Sequence, residues 1–379
     1  MGGSLFVFIS LVSMLVYSAI ENNAVPLMSK NIRVAILSNQ NTVNLSGSNL
    51  KIFDFRNKKN LVQGNKNSQI ELKFNSAHIE INGTKVLTQH LIIHSPEEII
   101  RINNRPYRGL FDIYAESGGF LVVNHISLDK YLASLLNLEM NEKWPLETLK
   151  AQAVAARTYG LASMIENIDK PYDVEADVRD QVYNGSVSEA KKTLEAVKTS
   201  SGEVLAFDQM ILKTYYHSNS GGQTENPSVI WGGDEKYMPS VIDPYAFNLP
   251  GYEWKLKLPV TELNNALSSF GFSYKTLFDI NISKFTSTGR AEKISIVTEK
   301  NIFTLSGKEF RKLIGEMKIK STKFIITAKS RNEIEFVGRG FGHGAGLSQW
   351  GAKKMGEEGL TYKDILKFYY PELTLKKLW

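Results

Sequence analysis

An α+β fold with largely antiparallel β-sheet is what the sequence predicts, and three observations predict it. Short runs rich in β-branched and aromatic residues, separated by Asn, Ser and Gly clusters, fill the chain from Ile32 to Asn124. At Leu128 the apolar residues change to the three- and four-residue spacing of a helix. Nowhere do strands and helices alternate as the βαβ units of a parallel sheet require. The chain has 379 residues, 42% of them hydrophobic, which is apolar mass enough for more than one core and predicts two to three lobes.

The first element lies outside the fold. Leu5 to Ile20 is an almost unbroken apolar stretch, about 16 residues against the ~20 of a membrane span, and close to a signal-peptide core. The flank Met1-Gly2-Gly3-Ser4 carries no Lys or Arg, and only Ser18 and Ala19 resemble a cleavage site. Residues 1–24 therefore read as a signal peptide or an N-terminal membrane anchor, and either places the protein outside the cytoplasm, in the cell envelope.

Residues 25–106 form a β-rich region opening with Ile32-Arg33-Val34-Ala35-Ile36-Leu37. Ala77 to Ile81 and Thr84 to Leu87 flank Asn82-Gly83, the strongest short hairpin signal. A second hairpin joins Phe111–Tyr114 to Gly119–Asn124. From Leu128 the residues Tyr131, Leu132, Leu135 and Leu136 give a helix that must stop before Trp144-Pro145, because a residue preceding proline disfavours α geometry. Pro145 then suits the first position of a second helix, to about Ile165, rich in alanine. Val204 to Tyr216 reads as strand and His217 to Glu225 as loop, closing a core segment, 107–250. The remainder, 251–379, carries a helix over Pro259–Phe270, strands at Lys293–Val297 and Phe303–Leu305, a helix over Lys308–Ile314, a glycine-rich run, and a short helix over Thr361–Tyr370.

That run is the most unusual segment. Gly338, Gly340, Gly342, Gly344 and Gly346 alternate with Arg339, Phe341, His343 and Ala345. Read as extended chain, it has one bare face and one face of side chains, a surface that another backbone or a ligand can approach closely. The spacing matches neither G-x-G-x-x-G nor G-x-x-x-x-G-K-[ST], and Ser348 misses the G-x-S-x-G elbow by one residue, so phosphate cradling and serine hydrolysis are disfavoured.

No cysteine occurs, which excludes disulfides, Cys-ligated zinc and a thiol nucleophile. The charge of +6 and the basic, Asn-rich stretch Lys51–Lys73 suggest an anionic polymer partner, outside the membrane a cell-wall polysaccharide rather than nucleic acid. Any membrane contact is confined to the N-terminal segment. His90 and His94 lie on a strand, roughly 13 Å apart, and read as structural. Asp173, Glu175, Asp177 and Asp180 lack the Gly and Glu of a calcium loop. His217 and His343 sit in polar, Gly-rich loops without a third ligand fixed by spacing, so neither metal nor cofactor is expected. Glu139 stands apart: at the C-terminal end of a helix, beside Leu138, Met140 and Trp144, both the negative end of the helix dipole and an apolar wall favour its protonated form, as a general acid requires.

Three segments together carry a resemblance. They are Leu128-Asp129-Lys130-Tyr131-Leu132 through Glu139 and Trp144-Pro145 to Tyr159; Tyr216-His217-Ser218-Asn219-Ser220-Gly221-Gly222-Gln223-Thr224-Glu225 with Trp231-Gly232; and the glycine run with Ser348-Gln349-Trp350-Gly351-Ala352 and Tyr369-Tyr370-Pro371. In order and spacing, from about residue 107 to the end, the chain resembles the SpoIID/LytB family of stage II sporulation protein D and amidase enhancers.

The resemblance implies a peptidoglycan lytic transglycosylase that cleaves MurNAc-GlcNAc bonds of denuded, peptide-free strands to 1,6-anhydroMurNAc ends. The catalytic glutamate falls on Glu139, on a helical segment, with the lobes around a glycan groove. The alternative it admits is a non-catalytic, glycan-binding enhancer of an N-acetylmuramoyl-L-alanine amidase, with that amidase as a partner. Gln152, Arg157, Tyr159, Tyr183, His217, Thr224, Arg339, His343, Ser348 and Gln349 are the implied substrate-binding residues, Arg157 and Arg339 for the lactyl carboxylates of the strand. The glycine run becomes one wall of the groove. Some members bind zinc through a Cys and a His; His217 matches, while the cysteine is missing and Ser220 lies nearby.

Overall fold

The computed structural model describes residues 30–75, 78–176, 181, 183–188, 190–233 and 236–379. The expected signal or anchor segment, and Ala77, Asp177 and Asp180, lie outside the described residues. The chain is α+β with mostly antiparallel sheet, and eight α-helices occur among the described residues. It divides into two compact units, Met1–Lys213 with Leu375–Trp379, and Thr214–Thr374. The division at 213/214 falls inside the segment 107–250 drawn from the sequence.

In the first unit a seven-stranded sheet runs in the order Val174–Glu175, Asn31–Gln40, Gly119–Ser127, Leu110–Glu116, His90–His94, Lys51–Asp54, Asn60–Gln63, and a six-stranded sheet lies with it. Alternation turns Leu91 and Ile93 inward, where they are fully buried between the more open His90, Ile92 and His94. Phe74 of the smaller sheet meets Phe120 of the larger edge to face at 5.8 Å. The Asn82-Gly83 hairpin has φ of 49° and 76°, the left-handed pair of a type I′ turn, with Ile81 opposite Thr84.

Helices α1 (Leu128–Glu139) and α2 (Leu146–Glu166) follow the last long strand, and α3 (Lys191–Thr199) packs against both. Ser127 caps α1 by accepting from the Lys130 N–H. Pro145 is the cap of α2 rather than its first residue, with φ −52° and ψ 141°, so the helix starts at Leu146, one residue later than the sequence reading placed it. The expected strand over Val204–Tyr216 is broken: Glu203–Ala206 is strand, Asp208 and Gln209 turn with positive φ between the bridged pair Phe207 and Met210, and the next strand is Tyr216–His217. The chain returns at Thr374–Lys377 to pair with Glu203–Ala206.

The second unit contains α4 (Pro227–Trp231) and a lobe of two three-stranded sheets with α5 (Val260–Ser269) and α6 (Gly307–Ile314). Leu258, Leu263, Leu267, Ile294, Phe310 and Phe336 form its core, each at most 1% exposed. Two further helices, α7 (Gln349–Glu357) and α8 (Tyr362–Tyr369), close the unit.

Candidate functional site

In the first unit, Glu139 is the last residue of α1, half-buried between exposed Leu138 and buried Met140. The corner after it is fixed by short-range bonds. Met140 N–H donates to Leu136 O at 2.8 Å, Lys143 N–H to Asn141 Oδ1 at 2.9 Å and Trp144 N–H to Asn141 O at 3.0 Å. Lys192 of α3 donates to the Trp144 carbonyl, so three helices meet at the turn that carries the carboxylate.

The helix α2 is buried almost all round, from Thr148 to Met164. Its polar residues therefore face protein. Arg157 is fully buried and donates to the carbonyls of Ser200, Glu203 and Val197 at 2.9, 3.2 and 3.2 Å, and to Asp129 Oδ1 at 3.3 Å. The carboxylate expected opposite Arg157 on a glycan is supplied within the fold by Asp129. Gln152 is also fully buried, and neither amide atom has a hydrogen-bond partner. Tyr159 is 7% exposed with the Lys213 ammonium 5.3 Å over its ring. Tyr183 donates to Asn124 Oδ1 at 2.9 Å and packs against Tyr131.

In the second unit two loops are laced together. Tyr216–His217 pairs in parallel with Leu347–Ser348, and Asn219 and Phe341 exchange both backbone bonds at 3.0 and 2.8 Å. The glycine run is not the extended strand its sequence suggests. Only Gly338 is in a strand, against the Trp254 indole, whereas Gly340, Gly342, Gly344 and Gly346 all have φ between 68° and 108°. A Cβ at Gly346 would collide with the Tyr215 carbonyl, and one at Gly344 would come within 2.5 Å of the Arg290 guanidinium carbon. The hydrogens thus face the loop Tyr215–Gly221 and Arg290. Arg339 is exposed, Phe341 and His343 are half-buried, and Ala345 is buried.

His217 and His343 come together, their ring centroids 5.6 Å apart, beside Trp231, which lies 5.0 Å from His343 and stacks on Tyr215 at 4.4 Å. Burial, then His343 and Arg290, push the His217 imidazole well below its ordinary range, and burial, then Arg311, does the same for His343. Both are neutral near pH 7. His217 Nδ1–H donates to Ala345 O at 3.0 Å and leaves Nε2 buried without a partner, while His343 Nδ1 accepts from Ala345 N–H at 3.0 Å.

The remaining sequence-derived candidates hold the loops. Thr224 Oγ1 accepts from Val241 N–H at 2.7 Å, and Ser348 Oγ accepts from Ser220 N–H at 3.2 Å; both side chains are buried, and Gln349 is 7% exposed. Ser220 donates to Asp243 Oδ2 at 2.7 Å and Tyr369 to Asp243 Oδ1 at 3.1 Å. Where a zinc pair would need a thiolate there is thus a hydroxyl committed to Asp243, and the residues do not fit a Cys–His zinc site. Among the described residues no group of three or more His, Asp or Glu side chains gathers as metal ligands.

Sequence reasoning missed Arg290. It is 1% exposed and donates from Nη2 to the carbonyls of Ser220 and Gln223 at 2.9 and 3.0 Å. Glu225, also missed as a site residue, accepts from Thr286 and Thr288 beneath the same loop. No spacing signal marks either, because Arg290 reaches the loop from a strand edge some 70 residues along the chain.

Known proteins resemble this chain over most of its length. A family model described as stage II sporulation protein matches residues 116–207, which include both α1 and α2, and a domain of unknown function, DUF8618, matches 190–346. An uncharacterized protein of Brachyspira hyodysenteriae is 30% identical over 330 residues, covering 87% of this chain and 88% of its own. Stage II sporulation protein D of Bacillus subtilis is 29% identical over 265 residues, 65% of this chain and 74% of its own. The amidase enhancer of Bacillus subtilis is 28% identical over 358 residues, and the match covers 80% of this chain but only 49% of that protein. On these motifs, matches and relatives, the chain belongs to the SpoIID/LytB family.

Proposed function

We propose that this member of a cell-wall family is a lytic transglycosylase acting on peptidoglycan strands from which the stem peptides have been removed. The observation that carries the reading is Glu139: a half-buried carboxyl group on the last residue of a helix, at a corner fixed by Asn141 and Lys192. The negative end of the α1 dipole opposes a second negative charge there, which favours the acid form. Protonated Glu139 donates to the oxygen linking N-acetylmuramic acid to N-acetylglucosamine. Its carboxylate then takes the proton from the muramic acid C6 hydroxyl as that oxygen closes onto C1, giving a 1,6-anhydro end and regenerating the acid. One carboxyl group serves both steps, where hydrolysis uses two.

The apolar stretch Leu5–Ile20 is the export signal or anchor that brings the protein to such strands. The test is digestion of amidase-treated murein by wild type and by Glu139→Gln, with mass spectrometry of the ends. Anhydro-muramic products from wild type alone support the reading, and none from a folded wild type sinks it. A second reading has its own observation, the match to an amidase enhancer over most of this chain: binding of strands without cleavage, and stimulation of an added amidase that Glu139→Gln leaves intact.

A further inference from the structure

The second unit gathers more cations than it can neutralise, at one end of the glycine run. The sheet pairing Phe324 with Gly338 continues for one more bond, Arg339 N–H to Lys323 O at 2.8 Å, which makes Lys323 and Arg339 cross-strand neighbours. Like charges so placed destabilise a sheet. Glu253 faces Arg339 from the other side, and its carboxylate lies 3.4 Å from that guanidinium. Ala291 N–H donates to Thr322 O at 2.7 Å, which brings Arg290 alongside, with Nε and Nη1 buried and unpaired.

Glu225, held by Thr286, Thr288 and Asn226 N–H, brings one negative charge to Arg290 and Lys323 together. Among the described residues no carboxylate forms an ion pair with Lys323. Its half-buried ammonium is pushed down to about 8, first by burial and then by Arg290 and Arg339, with Glu225 pulling the other way. An anion set against Lys323, Arg339 and Arg290 would offset their mutual repulsion. Rings accompany the charges: the Lys320 ammonium lies 5.8 Å from the Phe341 ring and the Arg339 guanidinium 5.6 Å from Tyr252. A carboxylate attached to a pyranose offers an anion for such cations and an apolar sugar face for such rings.

We propose that Lys323, with Arg339 as its cross-strand neighbour, is the site for the free lactyl carboxylate of a muramic acid residue that has lost its stem peptide. This rests on the denuded-strand reading above and adds its selectivity determinant. In a peptide-bearing strand the lactyl group is a neutral amide, which offers Lys323 no charge. Arg157, expected from the sequence to share this task, is enclosed in the first unit.

The experiment follows the Lys323 ε-methylene by NMR in the full chain labelled at lysine, the resonance being assigned by its loss in Lys323→Gln. N-acetylmuramic acid, which carries the lactyl carboxylate, is expected to raise the Lys323 titration midpoint by about one unit, and N-acetylglucosamine, which lacks it, to leave the midpoint in place. No shift with N-acetylmuramic acid, or equal shifts with both sugars, overturns the proposal. In parallel, Lys323→Gln with an unchanged circular dichroism spectrum is expected to bind amidase-treated strands about tenfold more weakly while binding neutral chitooligosaccharide as wild type does. Equal affinity for the strands also overturns it. A wild type that yields no anhydro products defeats the transglycosylase reading, whereas the two-sugar titration still decides this site.

Discussion

Arg157 and Glu139 show how differently two residues of one motif are used. Glu139 is placed by punctuation: Pro145 bars helix at Trp144, and α1 ends ahead of it at Glu139, in a corner held by Asn141. Arg157 sits on a helix buried on every side, where an alanine-rich sequence has no polar stripe from which its direction could be read. Its guanidinium is an anchor between α1, α2 and the strand at Glu203, and Thr224 and Ser348 are likewise enclosed. The paired imidazoles lead to a pH prediction. His217 and His343 stay neutral when folded, while in an unfolded chain they protonate near the ordinary value of 6.5. Below that pH the unfolded state binds protons that the folded state refuses, so stability falls, by about 1.4 kcal/mol per pH unit for each imidazole. Denaturant unfolding of the second unit is expected to be flat above pH 7 and to weaken between pH 6 and 5, and His217→Asn is expected to remove part of that slope. Identical slopes in the two proteins would contradict the assignment.

Elements are legible where a turn residue or a period forces them. Asn82-Gly83 marks its hairpin, and α5, α6 and α8 come from apolar spacing. The hairpin at Asn103-Asn104, with φ of 48° and 70°, escapes a sequence reading because Asn-Asn is a weaker signal for the same left-handed pair. The glycine run misleads in form. Period two suggests a strand, but here every second residue turns the backbone, and the bare positions accept the loop Tyr215–Gly221 and the Arg290 guanidinium. Gly344, at φ 95° against Arg290, is the sharpest test. Gly344→Ala is expected to destabilise the second unit by about 2 kcal/mol or more, through a strained φ and a displaced guanidinium. In a double-mutant cycle, Arg290→Ala should recover part of that loss. Full additivity in urea unfolding would mean that the two do not touch.

At the scale of the molecule, the +6 charge and the apolar stretch Leu5–Ile20 are plain in the sequence, but the division into units is hidden. The first unit is completed by the last five residues, after an excursion of the chain through the whole second unit. A pairing over that separation leaves no local trace. Thr374–Lys377 lies beside Glu203–Ala206, Leu378 N–H donates to Gly202 O at 2.8 Å, and the Lys30 ammonium sits 5.3 Å over Trp379. Removal of residues 375–379 is expected to lower the melting temperature of the first unit by several degrees, about what 1 to 2 kcal/mol produces in a domain of this size, and to leave the second unit's transition in place. The central claim, that Glu139 transfers a proton within the sugar chain and no water takes part, is tested most directly by digesting denuded strands in water enriched in heavy oxygen. The account predicts anhydro ends, one water lighter than a reducing end and free of the label, and none with Glu139→Gln. Labelled reducing ends released by the wild type would contradict it.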